Sequence, residues 1–202
     1  MGDRLKRSFD VLASATGLVA GSPLMLMIAL AIRIESTGPS VFRQTRVGLH
    51  GRRFEILKFR TMCHGAESMG RETLGKGDPR ITAVGAWLRR FKLDELPQLV
   101  NVIRGDMSLV GPRPEIPHYA DRYPAEDQVV FSIRPGITDP SSIALADLDS
   151  LMDSRGSESA ADFYERVIQP QKLALQRQYV RERSFLGDLS VIARTIVRVL
   201  RR

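Results

Sequence analysis

Two adjacent carboxylates, Asp94 and Glu95, sit in a segment crowded with cations: Arg89, Arg90, Lys92, Arg104 and Arg113. Prolines at 97, 112 and 114 stiffen the same stretch. That combination suits chemistry on an anion. Positive groups hold phosphate, and displacement at phosphorus needs a nucleophile or base beside them. A surface helix with alternating charges accounts for the same residues, so the rest of the chain has to choose between the two.

The elements that would position these groups are legible in outline. Val41-Phe42-Arg43-Gln44 and the run from Arg53 to Phe59 alternate around Gly48-Leu49-His50-Gly51. This predicts a β-hairpin ending in Lys58-Phe59-Arg60-Thr61-Met62. Residues 65–80 are Gly-rich and charged, and predict a loop. Ile81 to Ile103 predicts helix, with Trp87, Leu88 and Phe91 on one apolar stripe and Leu96, Leu99, Val100 and Ile103 on another. Asp94 stands three residues before Pro97, which a helix tolerates in its first turn. It is therefore also a candidate cap for a second helix ending near Gly105, beside unpaired N–H groups that attract phosphate as well.

Residues 111–140 are Pro-rich and read as irregular. Prolines on both sides of Arg113 would pre-position its fork for an anion, or simply make a rigid loop. From Ala161 the pattern is helical again. Phe185, Leu189, Ile192, Ile196 and Leu200 share a face, with Arg194, Arg198, Arg201 and Arg202 displaced from it. Such a helix suits an anionic membrane surface or an ordinary packed terminus.

The 202 residues suit one domain, or one domain with a membrane element. A hydrophobic fraction of 43% and a charged fraction of 26% are ordinary for a globular protein. Of the net charge of +7, residues 1–60 carry +6, while residues 141–170 hold six acids against two Arg. The single Cys63 rules out an internal disulfide and fits a reducing compartment. Aromatic residues make up 6% of the chain and do not interleave with basic ones, which argues against a nucleic-acid binder.

Val11 to Ile32 is a run of 22 residues without a charge, long enough to cross a bilayer. Arg4, Lys6 and Arg7 precede it; Arg33, Arg43, Arg46, Arg52 and Arg53 follow it. A single span normally carries its basic excess on one side. A signal peptide is disfavoured by the basic segment after Ala29-Leu30-Ala31. Ser22-Pro23 lies at the midpoint, where proline kinks a helix and serine can re-satisfy a freed carbonyl. A re-entrant helical hairpin, entering and leaving by one face, accounts for length, kink and charge together.

Three stretches then meet a known family: Asp78-Pro79-Arg80-Ile81-Thr82, Leu88 through Leu99, and Asn101 through Glu115. They closely resemble the bacterial sugar transferases, the small monotopic polyprenyl-phosphate phosphoglycosyl transferases. Gln44-Thr45-Arg46-Val47-Gly48, Lys58-Phe59-Arg60-Thr61-Met62, Arg134-Pro135-Gly136-Ile137-Thr138 and the Ser22-Pro23 break match in the same order. The resemblance spans nearly the whole chain and implies the minimal catalytic form. It departs after Thr138, where many members continue with Gly and a small-Ala-Gln-Val pattern; this chain has Asp139-Pro140-Ser141-Ser142-Ile143.

The resemblance implies transfer of a sugar 1-phosphate from a UDP-sugar to undecaprenyl phosphate, with release of UMP and a need for Mg²⁺. Asp94 would be the nucleophile and a metal ligand, and Glu95 would complete the dyad. Lys58, Arg60, Arg89, Arg113 and Arg134 would bind phosphate or nucleotide. The fold implied is α+β and mainly helical: a re-entrant anchor over residues 1–37, kinked at Ser22 and Pro23, and a catalytic domain over 38–202 on the cytoplasmic face of the inner membrane. The partners implied are the donor, the lipid acceptor and the bilayer, with oligomeric state left open. His50, His64 and His118 are isolated in sequence and receive no catalytic role. The rival expectation is a non-catalytic peripheral membrane protein whose carboxylates serve as helix cap and ion pairs.

Overall fold

The computed structural model describes residues 2–66, 78–141, 154, 156 and 158–201. Most of the loop expected over 65–80 lies outside them, as do Ser142 and Ile143. The protein is mainly helical, with two small two-stranded sheets among the described residues.

The apolar N-terminal segment folds as one helix, α1 (Gly2–Glu35). It extends beyond the uncharged run at both ends and continues through Pro23. Proline removes the N–H that would meet the carbonyl four residues back. That carbonyl is Val19 O, and Ser22 Oγ donates to it at 2.8 Å. Asp10 and Ser14 near one end and Ile28 and Ile32 near the other are buried at helical spacing, while no residue between Ser14 and Ile28 is buried. Leu5, Leu12, Val19 and Leu26 recur every seventh residue on the exposed side.

Both ends of α1 grip the rest of the protein. Near the start, Arg7 Nη2 donates to Val102 O at 2.7 Å, and Ser108 Oγ donates to Asp10 Oδ2 at 2.7 Å. Lys6 pairs with Asp188 at 2.7 Å. Two of the three cations read as a free basic flank are thus committed internally. Near the end, Ile28 and Ile32 pack with Phe59 and Leu88.

Strands β1 (Val41–Val47) and β2 (Arg53–Phe59) form the antiparallel hairpin that the alternation predicts. The register runs from Val41 opposite Phe59 to Val47 opposite Arg53. Helix α2 (Ala83–Arg90) is capped by Thr82, which accepts from Gly85 N, and by Glu35, which accepts from Val84 N at 3.0 Å.

The helical stretch read over 81–103 divides before Pro97, in line with a second helix ending near Gly105. Lys92 adopts a left-handed conformation (φ 57°), one tight turn follows over Leu93–Glu95, and α3 (Gln98–Arg104) begins after Pro97. Gly105 closes α3 at φ 95°. Asp94 therefore caps neither helix, which corrects the capping alternative. Asn101 fastens α3 to β2: its Oδ1 accepts from Leu57 N at 3.0 Å, and its Nδ2 donates to Glu55 O at 2.7 Å.

Within the stretch read as irregular, β4 (Gly136–Thr138) pairs in parallel with β3 (Ser108–Val110), which lies just before it. Three-residue strands are too short to show alternation. A Cβ on Gly136 would sit 2.1 Å from Gly111 N, so this crossing requires glycine. Helix α4 (Pro117–Ala120) follows β3 in the chain. Near the C-terminus α5 (Ala160–Phe163) passes through a wider π turn (Tyr164–Ile168) into α6 (Gln169–Glu182), and α7 (Phe185–Leu200) follows. On α7, Val191 is buried while Leu186 and Ile196 are exposed. Ile196, on the face that suits a membrane surface or a packed terminus, is thus left uncovered by the described residues.

Candidate active site

Three separate segments converge on the dyad. Strand β2 supplies Lys58, the tight turn between α2 and α3 supplies Asp94 and Glu95, and the loop after β3 supplies Arg113. All four line one open groove. Asp94 and Glu95 are only 8% and 7% exposed, so their charges are poorly solvated.

Glu95 Oε1 accepts from Arg113 Nη2 at 2.7 Å and lies 3.4 Å from Lys58 Nζ. Burial works against the Glu95 charge, but Arg113 and Lys58 outweigh it and hold the carboxyl well below the usual range. The same contact raises Arg113 above its ordinary value. Lys58, losing more to burial and to Arg113 than it regains from Glu95, is lowered to about 8.

Asp94 is placed differently. Burial and then the neighbouring Glu95 charge raise its pKa, opposed by Lys58, Lys92 and Arg113. Its Oδ1 is buried and finds no hydrogen-bond partner. A buried carboxylate oxygen without a donor is costly unless a ligand or cation completes it. The turn thus carries one carboxylate that is paired and one that is kept available.

The other expected binding residues divide. Arg89 lines the groove, and its Nε donates to Thr61 Oγ1 at 2.9 Å. Arg60 also lines it. Its Nη2 donates to Ser36 O at 2.8 Å and Ser36 Oγ at 2.9 Å, while Nε and Nη1 are buried without partners. Arg134 does not join them. Its Nε donates to Gly105 O at 2.9 Å at the end of α3, away from the groove lining. Its motif neighbours Gly136, Ile137 and Thr138 form β4, of which Ile137 and Thr138 do line the groove. Among the histidines, His64 and His118 line the groove and His50 sits in the β1–β2 turn.

Several buried polar residues were not singled out from the sequence. Glu115 accepts from Lys172 Nζ at 2.7 Å and Tyr164 Oη at 2.6 Å, and Arg46 lies 3.6 Å away. Burial disfavours its charge, yet Lys172 and Arg46 bring its pKa down to about 2. Asp78 and Arg80 form a buried two-point clamp at 2.7 and 2.9 Å, giving that motif a structural role. Asp139, the first residue where the chain departs from the common family pattern, is 1% exposed and accepts from Arg113 N at 3.1 Å. Only that departure marks it in the sequence.

The sequence matches the bacterial sugar transferase family over residues 1–202. It is 40% identical over 201 residues to a UDP-glucose:undecaprenyl-phosphate glucose-1-phosphate transferase of Caulobacter vibrioides, covering 98% of this chain and 70% of that protein. It is 44% identical over 137 residues to a UDP-N-acetylgalactosamine-undecaprenyl-phosphate N-acetylgalactosaminephosphotransferase of Aeromonas hydrophila, covering 66% of this chain. An undecaprenyl-phosphate glucose phosphotransferase of Komagataeibacter xylinus is 39% identical over 206 residues. The chain spans 32% and 35% of these last two relatives. The chain belongs to the bacterial sugar transferase family, and it is an enzyme of the phosphoglycosyl transferase class.

Proposed function

We propose that this protein transfers a sugar 1-phosphate from a UDP-sugar to undecaprenyl phosphate and releases UMP, with Asp94 carrying the phosphosugar between the two half-reactions. The names of its relatives support the donor and acceptor classes. The observation that carries the covalent route is the partnerless Oδ1 of Asp94, buried in a groove beside a Glu95 whose Oε1 meets both Arg113 and Lys58.

In the first step an Asp94 oxygen attacks the sugar-linked phosphorus. The bond from that phosphorus to the bridging oxygen breaks, and UMP leaves with the electron pair. In the second step an oxygen of undecaprenyl phosphate attacks the same phosphorus, and Asp94 departs as a carboxylate. Arg113, Lys58 and Arg89 lie where they can offset charge on the transferring phosphate. Glu95 holds Arg113 and Lys58 in place and raises the basicity of its neighbour.

Mg²⁺ fits this donor set. Among the described residues no group of three or more His, Cys, Asp or Glu converges on a metal. Asp94 would hold the ion together with substrate phosphates, the usual arrangement for magnesium. Bound there, it would screen the repulsion between carboxylate and diphosphate.

The acceptor keeps its phosphate at the membrane interface, so the groove has to be held at that depth. We propose that residues 1–37 anchor residues 38–202 to the cytoplasmic face of the inner membrane, with α1 entering and leaving by that one face around Ser22 and Pro23. Support comes from the ties of Arg7 and Asp10 at one end and Ile32 at the other to the same body of protein. In a Cys63→Ser background, cysteines placed at 3 and 40 should label from the same side; opposite sides would refute the arrangement.

Detection of UMP from UDP-sugars plus undecaprenyl phosphate tests the activity. Turnover should vanish in Asp94→Asn. A non-catalytic lipid-binding role is disfavoured by family membership and by the absence of any capping duty for Asp94.

A further inference from the structure

Asp139 is 1% exposed and sits at the end of β4, where it gathers four donors. Its Oδ1 accepts from Ser141 N at 2.9 Å. Its Oδ2 accepts from Arg113 N at 3.1 Å, from Gln176 Nε2 at 2.7 Å and from Ser141 Oγ. Gln176 is also 1% exposed, and its Nε2 lies 3.5 Å from Arg113 O. Both backbone polar atoms of Arg113 are therefore held by one buried pair, drawn from β4 and α6.

The chemistry specifies a carboxylate. An ionised Asp only accepts, whereas Asn would turn its NH₂ toward Ser141 N in one amide orientation and toward Arg113 N and Gln176 Nε2 in the other. A buried donor–donor clash of that kind is relieved only by moving the chain. Either orientation displaces the side chain that holds the backbone of Arg113, from which the guanidinium reaches Glu95 at 2.7 Å.

We infer that Asp139 and Gln176 are positioning residues: they fix the backbone of Arg113 so that its guanidinium meets Glu95 in the geometry used for phosphosugar transfer. The inference rests on the function proposed above for the dyad. It assigns a role to the position at which this chain leaves the common family pattern. Neither residue touches the reacting atoms; both act through Arg113.

The test is a double-mutant cycle on kcat, with Asp139→Asn, Arg113→Ala and their combination, each assayed for UMP release and melting temperature. Asp139→Asn alone should lower kcat about tenfold or more, since small misplacements of a catalytic group have effects of that size. Once Arg113→Ala is present, Asp139→Asn should lower kcat no further, although the melting temperature falls in both backgrounds. An equal drop in kcat in both backgrounds, or no drop in either, would overturn the inference. If Asp139→Asn does not fold, Gln176→Met takes its place in the same cycle.

The side-chain Nε–H signal of Arg113, assigned by its loss in Arg113→Ala, supplies a readout independent of turnover. It should shift in Asp139→Asn and in Gln176→Met; an unmoved signal would overturn the inference. If the wild-type protein releases no UMP from any UDP-sugar, the proposed function fails, and this signal still decides whether the pair positions Arg113.

Discussion

Arg113 Nη2 stands 2.7 Å from Glu95 Oε1, while the adjacent Asp94 keeps its Oδ1 buried and without a partner. Neighbours in sequence thus have opposite electrostatic situations. Glu95 is neutralised by cations from two other segments; Asp94 is desolvated and left for whatever enters the groove. Both stand on the tight turn that follows the left-handed Lys92, between α2 and α3.

Lys58 gives the activity a basic limb. Burial and Arg113 lower it to about 8, so its proton is lost well below the ordinary lysine value of 10.5. Above pH 8 the groove loses one cation beside Glu95. kcat/KM, which reports the free enzyme, should therefore fall as pH rises through about 8. Lys58→Arg should keep the cation and carry the plateau to higher pH. A limb at the same position in Lys58→Arg would assign it to another group.

Glu115 gives the fold an acid-sensitive contact. Its folded pKa of about 2 lies below the ordinary 4.5, so its contribution is complete above 4.5 and is lost as pH falls toward 2. A shift of that size corresponds to about 3 kcal/mol at neutral pH. Glu115→Gln should be less stable than wild type by roughly that amount at pH 7, and the gap should close as pH falls. Denaturant melts across pH 3–8 would show it; a constant gap would contradict the assignment.

Asn101 holds α3 against β2, and α3 anchors the turn carrying the dyad. Asn101→Leu would leave Leu57 N and Glu55 O without these partners in a site that is 0% exposed. Unmade buried hydrogen bonds of this kind cost about 1–3 kcal/mol each, so the variant should be destabilised by about 3 kcal/mol. Chemical denaturation measures this directly, and a loss under 1 kcal/mol would mean that α3 docks by its apolar contacts alone.

Gly85 lets α2 touch the backbone after β2. A Cβ there would lie 2.1 Å from Thr61 O, so Gly85→Ala must push α2 away from Thr61. Overpacking usually costs about 1–3 kcal/mol. The same shift disturbs the Arg89 Nε–Thr61 Oγ1 bond, so activity should fall beyond what the lost stability explains. UMP release measured well below the melting temperature separates the two effects.

What the sequence made legible was local. The β1–β2 hairpin, the Gly105 helix end and the serine that serves the proline-freed carbonyl follow from alternation, glycine and proline chemistry over a few residues. The closeness of Asp94, Glu95 and the cations was suggested by spacing and family motif. What remained hidden depends on distant segments meeting. Lys172 is 57 residues from Glu115 and Gln176 is 37 from Asp139, and no periodicity announces such pairs. Short strands β3 and β4 carry no alternation, so neither their pairing nor the bond from Arg134 Nε to Gly105 O was legible. The internal partners of the basic flank were hidden for a related reason: Lys6 and Arg7 meet groups about a hundred or more positions away.

The most direct measurement is intact-protein mass spectrometry after mixing with donor alone. The account predicts a mass increase equal to one sugar phosphate, mapped to Asp94, absent in Asp94→Asn and discharged when undecaprenyl phosphate is added. Turnover without any such adduct, or an Asp94→Asn protein that still releases UMP, would contradict it.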